Sequence, residues 1–209
     1  MRTPVQLEAL LIRASTDEVR LQQVAAGQAV DRIRGGTLDA WVGAVPPQSP
    51  LPEGLERAPL GWSASPMAIM RSDTSIGRWE ELKHRTVCLA ADGRYRGELA
   101  ARYGAVEQVY PSATDALLAL RTGQCDATVQ EESFLRELLK FPEWRKFSAT
   151  LAPYRHQELV RLVRADLPSA QRLSLSRVTG VATLQAAAQR QARDIAFEVY
   201  LDQTVPDCH

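Results

Sequence analysis

The chain has 209 residues, of which 45% are hydrophobic and 24% are charged, and its 25 basic residues balance its 25 acidic ones. These values are ordinary for a globular protein, and the zero formal charge gives no indication of binding to nucleic acid or to an anionic membrane. No apolar run approaches the roughly 20 residues that a membrane-spanning helix needs. The length allows one large domain or two smaller lobes.

The first third of the chain is predicted to alternate between strands and a helix. Apolar patterning predicts a strand at 5–12, a helix from about 18 to 33 and a strand at 38–45. Four prolines between positions 46 and 52 then predict an extended crossing segment. A strand at Pro66–Met70 and a short helix containing Trp79 and Leu82 follow.

From residue 86 onward, short apolar strands alternate with helices. The predicted strands are Thr86–Ala90, Val106–Tyr110, 126–130 and 159–163, and the predicted helices are 95–103, 112–120, 131–139 and a tail that ends near 201. This alternation is typical of a parallel sheet with right-handed crossovers. We therefore expect an α/β fold with two βαβ lobes. The first lobe would be discontinuous (1–66 plus 158–209) and the second continuous (67–157), joined by hinge strands near 66–69 and 159–163.

One nine-residue pattern, R-x-G-x-x-D-A-x-V, occurs twice, beginning at Arg34 and at Arg121. Each copy follows a helix-like run and precedes an apolar, strand-like stretch. A glycine just past a helix can take the left-handed conformation that ends it. Each copy is therefore interpreted as the corner between a helix and a strand, and the repetition indicates two similar lobes. The aspartates, Asp39 and Asp126, are interpreted as structural residues at strand entries.

An ordered series of short motifs between about 37 and 165 resembles the type II periplasmic solute-binding fold, in particular its polar amino acid-binding branch (bacterial extracellular solute-binding family 3). The series comprises W-S-x-x-P at 62–66, R-S-D at 71–73, W-E-E-L-K at 79–83 leading into T-V-C-L-A, and Y-P-S at 110–112 followed by A-L-L-A-L and G-x-x-D-A. A weaker similarity links residues 36–39 and 55–60 to LysR-type effector domains. The first resemblance implies a small polar, amino acid-like ligand in a cleft between two lobes. The family's usual first strand and helix have no counterpart before residue 5, so we expect a short first lobe.

Four candidate ligand contacts lie in the second lobe, where strands end. Ligands of open α/β sheets bind beyond the carboxyl ends of the strands. Asp92 and Arg94 follow Thr86–Ala90, and Arg94, ahead of Arg96, could pair with a carboxylate. The resemblance implies that Glu131 holds the ligand's ammonium group, while a favourable position at a helix start is the alternative. Ser112 could contact the ligand or cap its own helix, and Arg94 could instead be a solvated surface charge.

Three further candidates lie in the first lobe. Arg57 resembles the family's carboxylate-binding arginine, although an extended surface arginine is an equal alternative. Trp62 could stack on a ligand or fill the interface between the lobes. Ser63 is a candidate polar contact.

Catalysis is not indicated by any motif. The histidines at 84, 156 and 209 lack metal-ligand spacing and a nucleophile, and no phosphate-loop, zinc-protease or hydrolase motif occurs. We therefore expect no catalytic residue, no metal and no cofactor. The expected protein is a monomer that binds a small molecule, with a membrane permease as a possible partner, and that neither binds nucleic acid nor inserts into a membrane. The alternatives are a ligand-sensing regulatory domain, an interaction domain that binds nothing and a dehydratase-like enzyme on the same fold.

The cysteines and the first residues give information about the cellular compartment of the protein. Cys88 and Cys125 lie in or beside predicted buried strands, so buried thiols are favoured over a disulfide between them. The resemblance implies a periplasmic location. The start of the sequence lacks the features of a secretory signal, since Glu8 interrupts its apolar stretch, and this leaves a cytoplasmic location open.

Overall fold

The computed structural model describes residues 20, 22–91 and 93–201, apart from the side chains at 178 and 199–201. The chain divides into two compact units. Unit one comprises Met1–Ala64 with His156–Ala187, and unit two comprises Ser65–Arg155 with Ala188–His209. The strand expected at 5–12 lies outside the described residues.

The described part of unit one is an antiparallel sheet with helices. Its elements are α1 (Ala26–Arg34), β1 (Ala40–Val45), β2 (Leu55–Ser63), β8 (Glu158–Arg164), α5 (Ser169–Val178) and the start of α6 (Val181–Leu201). The strand order is β1-β8-β2, and β8 pairs antiparallel with both neighbours. The parallel pair expected in this lobe would join β1 to a strand at 5–12, and residues 5–12 lie outside the described part of the chain.

Strand β2 was not predicted, and helix α1 is shorter than predicted. Pro59 lies within β2, where an edge position tolerates a residue that cannot donate a hydrogen bond. Helix α1 begins at Ala26 because the preceding residues are extended: Val24 is buried, and its carbonyl accepts a hydrogen bond from Trp41 Nε1 at 3.4 Å. The helix buries Ala29 and Ile33, one turn apart, against the sheet.

Unit two contains a mixed five-stranded sheet with helices. Its elements are β3 (Pro66–Met70), a 3-10 helix (Trp79–Leu82), β4 (Thr86–Ala90), α2 (Glu98–Tyr103), β5 (Val106–Tyr110), α3 (Ala113–Arg121), β6 (Ala127–Glu131), α4 (Glu132–Leu138), a second 3-10 helix (Pro142–Phe147), β7 (Ala149–Leu151) and the rest of α6. The strand order is β5-β4-β6-β3-β7. Strand β4 pairs parallel with β5 and β6, while β3 pairs antiparallel with β6 and β7. The predicted β-α-β-α-β order of the middle region is confirmed.

The predicted hinge positions lie inside the sheets. The chain passes between the units at Ala64–Ser65, just before β3, at Arg155–His156, just before β8, and a third time between Ala187 and Ala188, within α6. Strands β3 and β8 are paired on two sides within their own sheets. The first two passages therefore fall in the short segments that precede these strands.

The predicted corner geometry is confirmed in both copies of the repeated pattern. Gly36 and Gly123 have φ of 68° and 76°, in the left-handed region. In each copy the glycine N–H donates to the carbonyl three residues earlier at 3.1 Å. The next N–H donates to the carbonyl five residues earlier, at 3.0 Å in the first copy and 2.9 Å in the second. These are the hydrogen bonds that end a helix in a Schellman motif.

Cys88 and Cys125 form a disulfide, so the preference for free thiols was wrong. Their Cα atoms are 5.8 Å apart, a usual separation for a disulfide. The bond follows from sheet order: β4 and β6 are parallel neighbours, and Cys125 lies two residues before β6. Among the described residues, no helix is both long enough and apolar enough to cross a membrane.

Candidate functional site

The carboxyl ends of β4 and β6 bring Arg94 and Glu131 together in unit two. Parallel neighbours end at the same edge of a sheet, the position where ligands bind in open α/β sheets. Glu131 is the last residue of β6, and Arg94 lies in the turn that follows β4. Arg94 Nε is 3.1 Å from Glu131 Oε1, and the two side chains are only 7% and 13% exposed. The interpretation of Arg94 as a solvated surface charge is therefore wrong.

The Arg94–Glu131 contact is close but poorly aligned for hydrogen bonding. Although its atoms lie within ion-pair distance, neither Nε nor Nη1 of Arg94 has a hydrogen-bond partner among the described residues. Most buried polar atoms in folded proteins are hydrogen-bonded, and a buried charge that uses few of its donors is costly. The guanidinium thus retains donors that an oxygen-rich ligand could use.

Two residues beside this pair were not predicted. Tyr95 is 2% exposed, and burial, followed by the charge of Glu131, raises the pKa of its hydroxyl, which therefore remains protonated at neutral pH. The Arg155 guanidinium lies 5.8 Å from the centre of the Tyr95 ring and pairs with Glu98 at 2.8 Å. Arg155 gave no sequence signal because it follows β7, a strand that was itself not predicted.

Ser112 caps helix α3, as one of its two interpretations predicted. Its Oγ accepts a hydrogen bond from the Asp115 N–H at 3.1 Å and donates to Asp115 Oδ2 at 2.6 Å. Ser112 follows β5, which pairs parallel with β4, so it lies at the same sheet edge as Arg94. Asp92, the remaining candidate of unit two, lies outside the described residues. Arg96 is exposed and donates to the Ala91 carbonyl at 2.7 Å.

The candidates of unit one make contacts within that unit. Arg57 donates to the carbonyls of Pro47 and Ser49, at 3.3 and 2.6 Å, and so holds the proline-rich segment to β2. Trp62 packs against a small core cluster formed by Leu60, Leu159 and Leu184.

Gly61 precedes Trp62 at a bulge that shifts the register of β2 between Pro59 and Ser63. Its φ is +66°, and an added Cβ would lie 2.9 Å from Val181 Cγ1. Ser63 resumes pairing, opposite Glu158. The bulge therefore sets the direction of the strand end that carries Trp62 and Ser63. Within the described ranges there is no group of three or more His, Cys, Asp or Glu side chains suited to a metal ion.

Solved structures are similar to this chain in fold. The ligand-binding core of GluR0, in complex with L-glutamate, aligns with a TM-score of 0.51 and 15% identity over 93% of this chain and 87% of that one. The substrate-binding protein of an amino acid ABC transporter (TM-score 0.47, 15% identity, 93% and 86% coverage) and a mutant of ArgBP from T. maritima (0.47, 16%, 96% and 85%) align less closely. No protein-family model and no curated protein matches the sequence. The chain has the two-lobed α/β fold of type II periplasmic binding proteins, as its motifs predicted.

Proposed function

We propose that this chain is a solute-binding domain for a small polar, amino acid-like ligand. The observation that carries the proposal is the buried Arg94–Glu131 pair at the carboxyl ends of two neighbouring parallel strands. Amino acids carry a carboxylate and an ammonium group on one carbon atom. A guanidinium can bind the first and a carboxylate the second, each through charge-assisted hydrogen bonds. Tyr95 adds a protonated hydroxyl beside the pair.

The fold of GluR0 supports this class of ligand, since that protein's ligand-binding core was solved with L-glutamate. In the proposed complex, Arg94 and Glu131 supply the unit-two contacts. Arg57, Trp62 and Ser63 remain the candidates from unit one, and Asp92 and Ser112 the remaining candidates from unit two.

The Cys88–Cys125 disulfide supports an oxidising compartment. Disulfides persist in the periplasm and outside the cell and are rare in the cytosol. We therefore place the domain on the outer side of a membrane, where a permease would receive its ligand.

A thermal-shift screen of the purified chain against the common L-amino acids tests the proposal. A ligand at about a hundred times its dissociation constant adds about 2.7 kcal/mol of stability. For a chain of this size we expect a rise in melting temperature of about 5–10 °C.

Two variants serve as controls for that screen. The double variant Arg94→Met/Glu131→Gln removes both buried charges together, which proteins usually tolerate, and should abolish the shift. Glu132→Gln, which changes the neighbouring residue and its ion pair with the exposed Arg136, should preserve it. A panel in which no amino acid raises the melting temperature would contradict the proposed ligand class.

A further inference from the structure

Strand β5 forms one edge of the unit-two sheet, and β4 is its only sheet neighbour among the described residues. An open edge offers unpaired backbone N–H and C=O groups to another strand. We propose that this edge is a dimer interface, at which β5 pairs antiparallel with β5 of a second copy of the chain. The proposal concerns a surface of unit two and does not depend on the ligand proposed above.

The hydrogen bonds at the two ends of β5 show which backbone groups face outward. The N–H of Val106 and the carbonyl of Tyr110 bond to the residues that flank β4, at 2.9 and 2.7 Å. The backbone groups of every second residue therefore point toward β4. Those of Glu107 and Val109 point away from the sheet and are available to a further strand.

Edge strands usually carry features that prevent such pairing, and β5 lacks them. It contains no proline, lysine or bulge, since its register with β4 runs without a shift. Its one charged residue, Glu107, accepts hydrogen bonds from the N–H groups of Gly97 and Ala100, at 2.6 and 2.9 Å. That carboxylate is thus held at the start of helix α2. Val106 and Val109 are 53% and 44% exposed, so the edge is also apolar.

One antiparallel register joins the outward positions of two such strands to each other. In this register Glu107 lies opposite the partner's Val109 and Val109 opposite the partner's Glu107, and each pair exchanges both backbone hydrogen bonds. Gln108 lies on the two-fold axis, opposite the partner's Gln108. Val106 lies opposite the partner's Tyr110, and a β-branched residue opposite an aromatic one favours pairing. The strand is therefore complementary to itself.

The neighbouring registers are less favourable. A shift by two residues in one direction sets Glu107 opposite the partner's Glu107, and like charges directly opposite are destabilising. A shift in the other direction sets Glu107 opposite the partner's Pro111, which has no N–H to donate. In the symmetric register the paired strands run in opposite directions. The carboxyl edges that carry the two candidate sites therefore lie at opposite ends of the joined sheet and stay open.

The expected dimer is weak. A pair of five-residue strands is a small interface, and interfaces below about 1,200 Å² belong mostly to transient complexes. The monomer expected from the sequence would then be the form at low concentration.

Sedimentation equilibrium of the wild-type chain over a concentration series tests the proposal. We expect the weight-average mass to rise from that of one chain toward that of two as the protein concentration approaches about 1 mM. A mass that stays at that of one chain throughout the series would overturn the proposal.

A matched pair of substitutions at one exposed position tests the register. Val109→Glu sets a second carboxylate opposite the partner's Glu107, whereas Val109→Lys sets an ammonium group there. We expect Val109→Glu to weaken the dimer at least about tenfold and Val109→Lys to keep the dissociation constant within about threefold of the wild-type value. Equal weakening by both would contradict pairing in this register.

Two further variants test the backbone contact. Val109→Pro removes an N–H that points away from β4, so it should abolish the dimer and leave the sheet of the monomer intact. Leu173→Glu changes an apolar residue of α5 that is 56% exposed, and it should leave the dimer unchanged. A dimer that withstands Val109→Pro and Val109→Glu would lie on another surface and overturn the proposal. If Val109→Pro does not fold, the two charged variants decide.

Discussion

The two copies of the repeated pattern adopt the same backbone conformation, but their side chains contact different groups. In unit one, Arg34 is exposed and donates to the Glu53 carbonyl at 2.9 Å. In unit two, Arg121 is 7% exposed, donates to the Glu143 carbonyl at 2.9 Å and lies 5.3 Å from the centre of the Trp144 ring. The fifth position is also different: Leu38 packs against the apolar cluster of unit one, whereas its counterpart Cys125 is bonded to Cys88.

This difference separates local from tertiary causes. The corner itself needs only a helix end, a glycine and hydrogen bonds within six residues, so it forms in either setting. The stability that each copy confers depends on its partners elsewhere in the unit. We therefore expect substitutions at the first and fifth positions to change the free energy of unfolding by different amounts in the two copies. Substitutions of the glycine should change it by the same amount in both.

Loss of the disulfide should have the largest effect. Cys88 and Cys125 close a loop across a sequence separation of 37, for which chain entropy gives about 4 kcal/mol. We expect Cys88→Ala/Cys125→Ala, or reduction of the wild type, to lower the free energy of unfolding by about that amount in denaturant titrations. Leu38→Ala, at the matching position, should cost about 1 kcal/mol because Leu38 is only partly buried. An unchanged unfolding midpoint after verified reduction would contradict a stabilising role for this bond.

Substitution of the first arginine should have the next largest effect, and only in unit two. Arg121→Ala removes packing against two aromatic rings and a hydrogen bond, for an expected loss of about 2–3 kcal/mol. Arg34→Ala should cost about 0.5–1 kcal/mol, because it removes one exposed hydrogen bond.

Arg121→Met retains much of the apolar stem of the arginine, so we expect about half of the loss of stability that Arg121→Ala causes. Chemical denaturation of the four proteins, wild type included, measures these differences. Equal losses for Arg34→Ala and Arg121→Ala would mean that burial of the second arginine contributes nothing.

The sequence predicted most elements of unit two to within a few residues, because its central strands are continuous apolar runs. Pro66–Met70 and Thr86–Ala90, which are such runs, were predicted with the observed bounds, as was the edge strand Val106–Tyr110. Strand β2 could not be recognised, since Arg57 and Pro59 interrupt its apolar pattern and its burial does not alternate. Strand β7 has three residues, too few for any periodicity.

Of the residues gathered at the candidate site, Arg94 and Glu131 were named from the sequence without their pairing, and Tyr95 and Arg155 were not named. Arg94 and Glu131 could be named because each follows a predicted strand. Their contact depends on the adjacency of β4 and β6, which have β5 between them in sequence. The Cys88–Cys125 disulfide depends on the same adjacency. One unpredicted feature of strand order therefore explains both the missed bond and the missed ion pair.

Substitution of the shared glycine should produce the smallest difference in stability between the two copies. Gly36→Ala and Gly123→Ala each force a Cβ into a left-handed conformation, which costs about 1–2 kcal/mol. Space does not distinguish the two sites: an added Cβ at Gly36 would meet its nearest atom, Arg164 Nη1, at 3.8 Å, and at Gly123 it would meet nothing within 4 Å. Asparagine tolerates this conformation better than alanine, so both Gly→Asn variants should lose less. Free energies of unfolding that differ by more than about 1 kcal/mol between the two alanine variants would show that tertiary packing, and not the local corner, fixes these backbones.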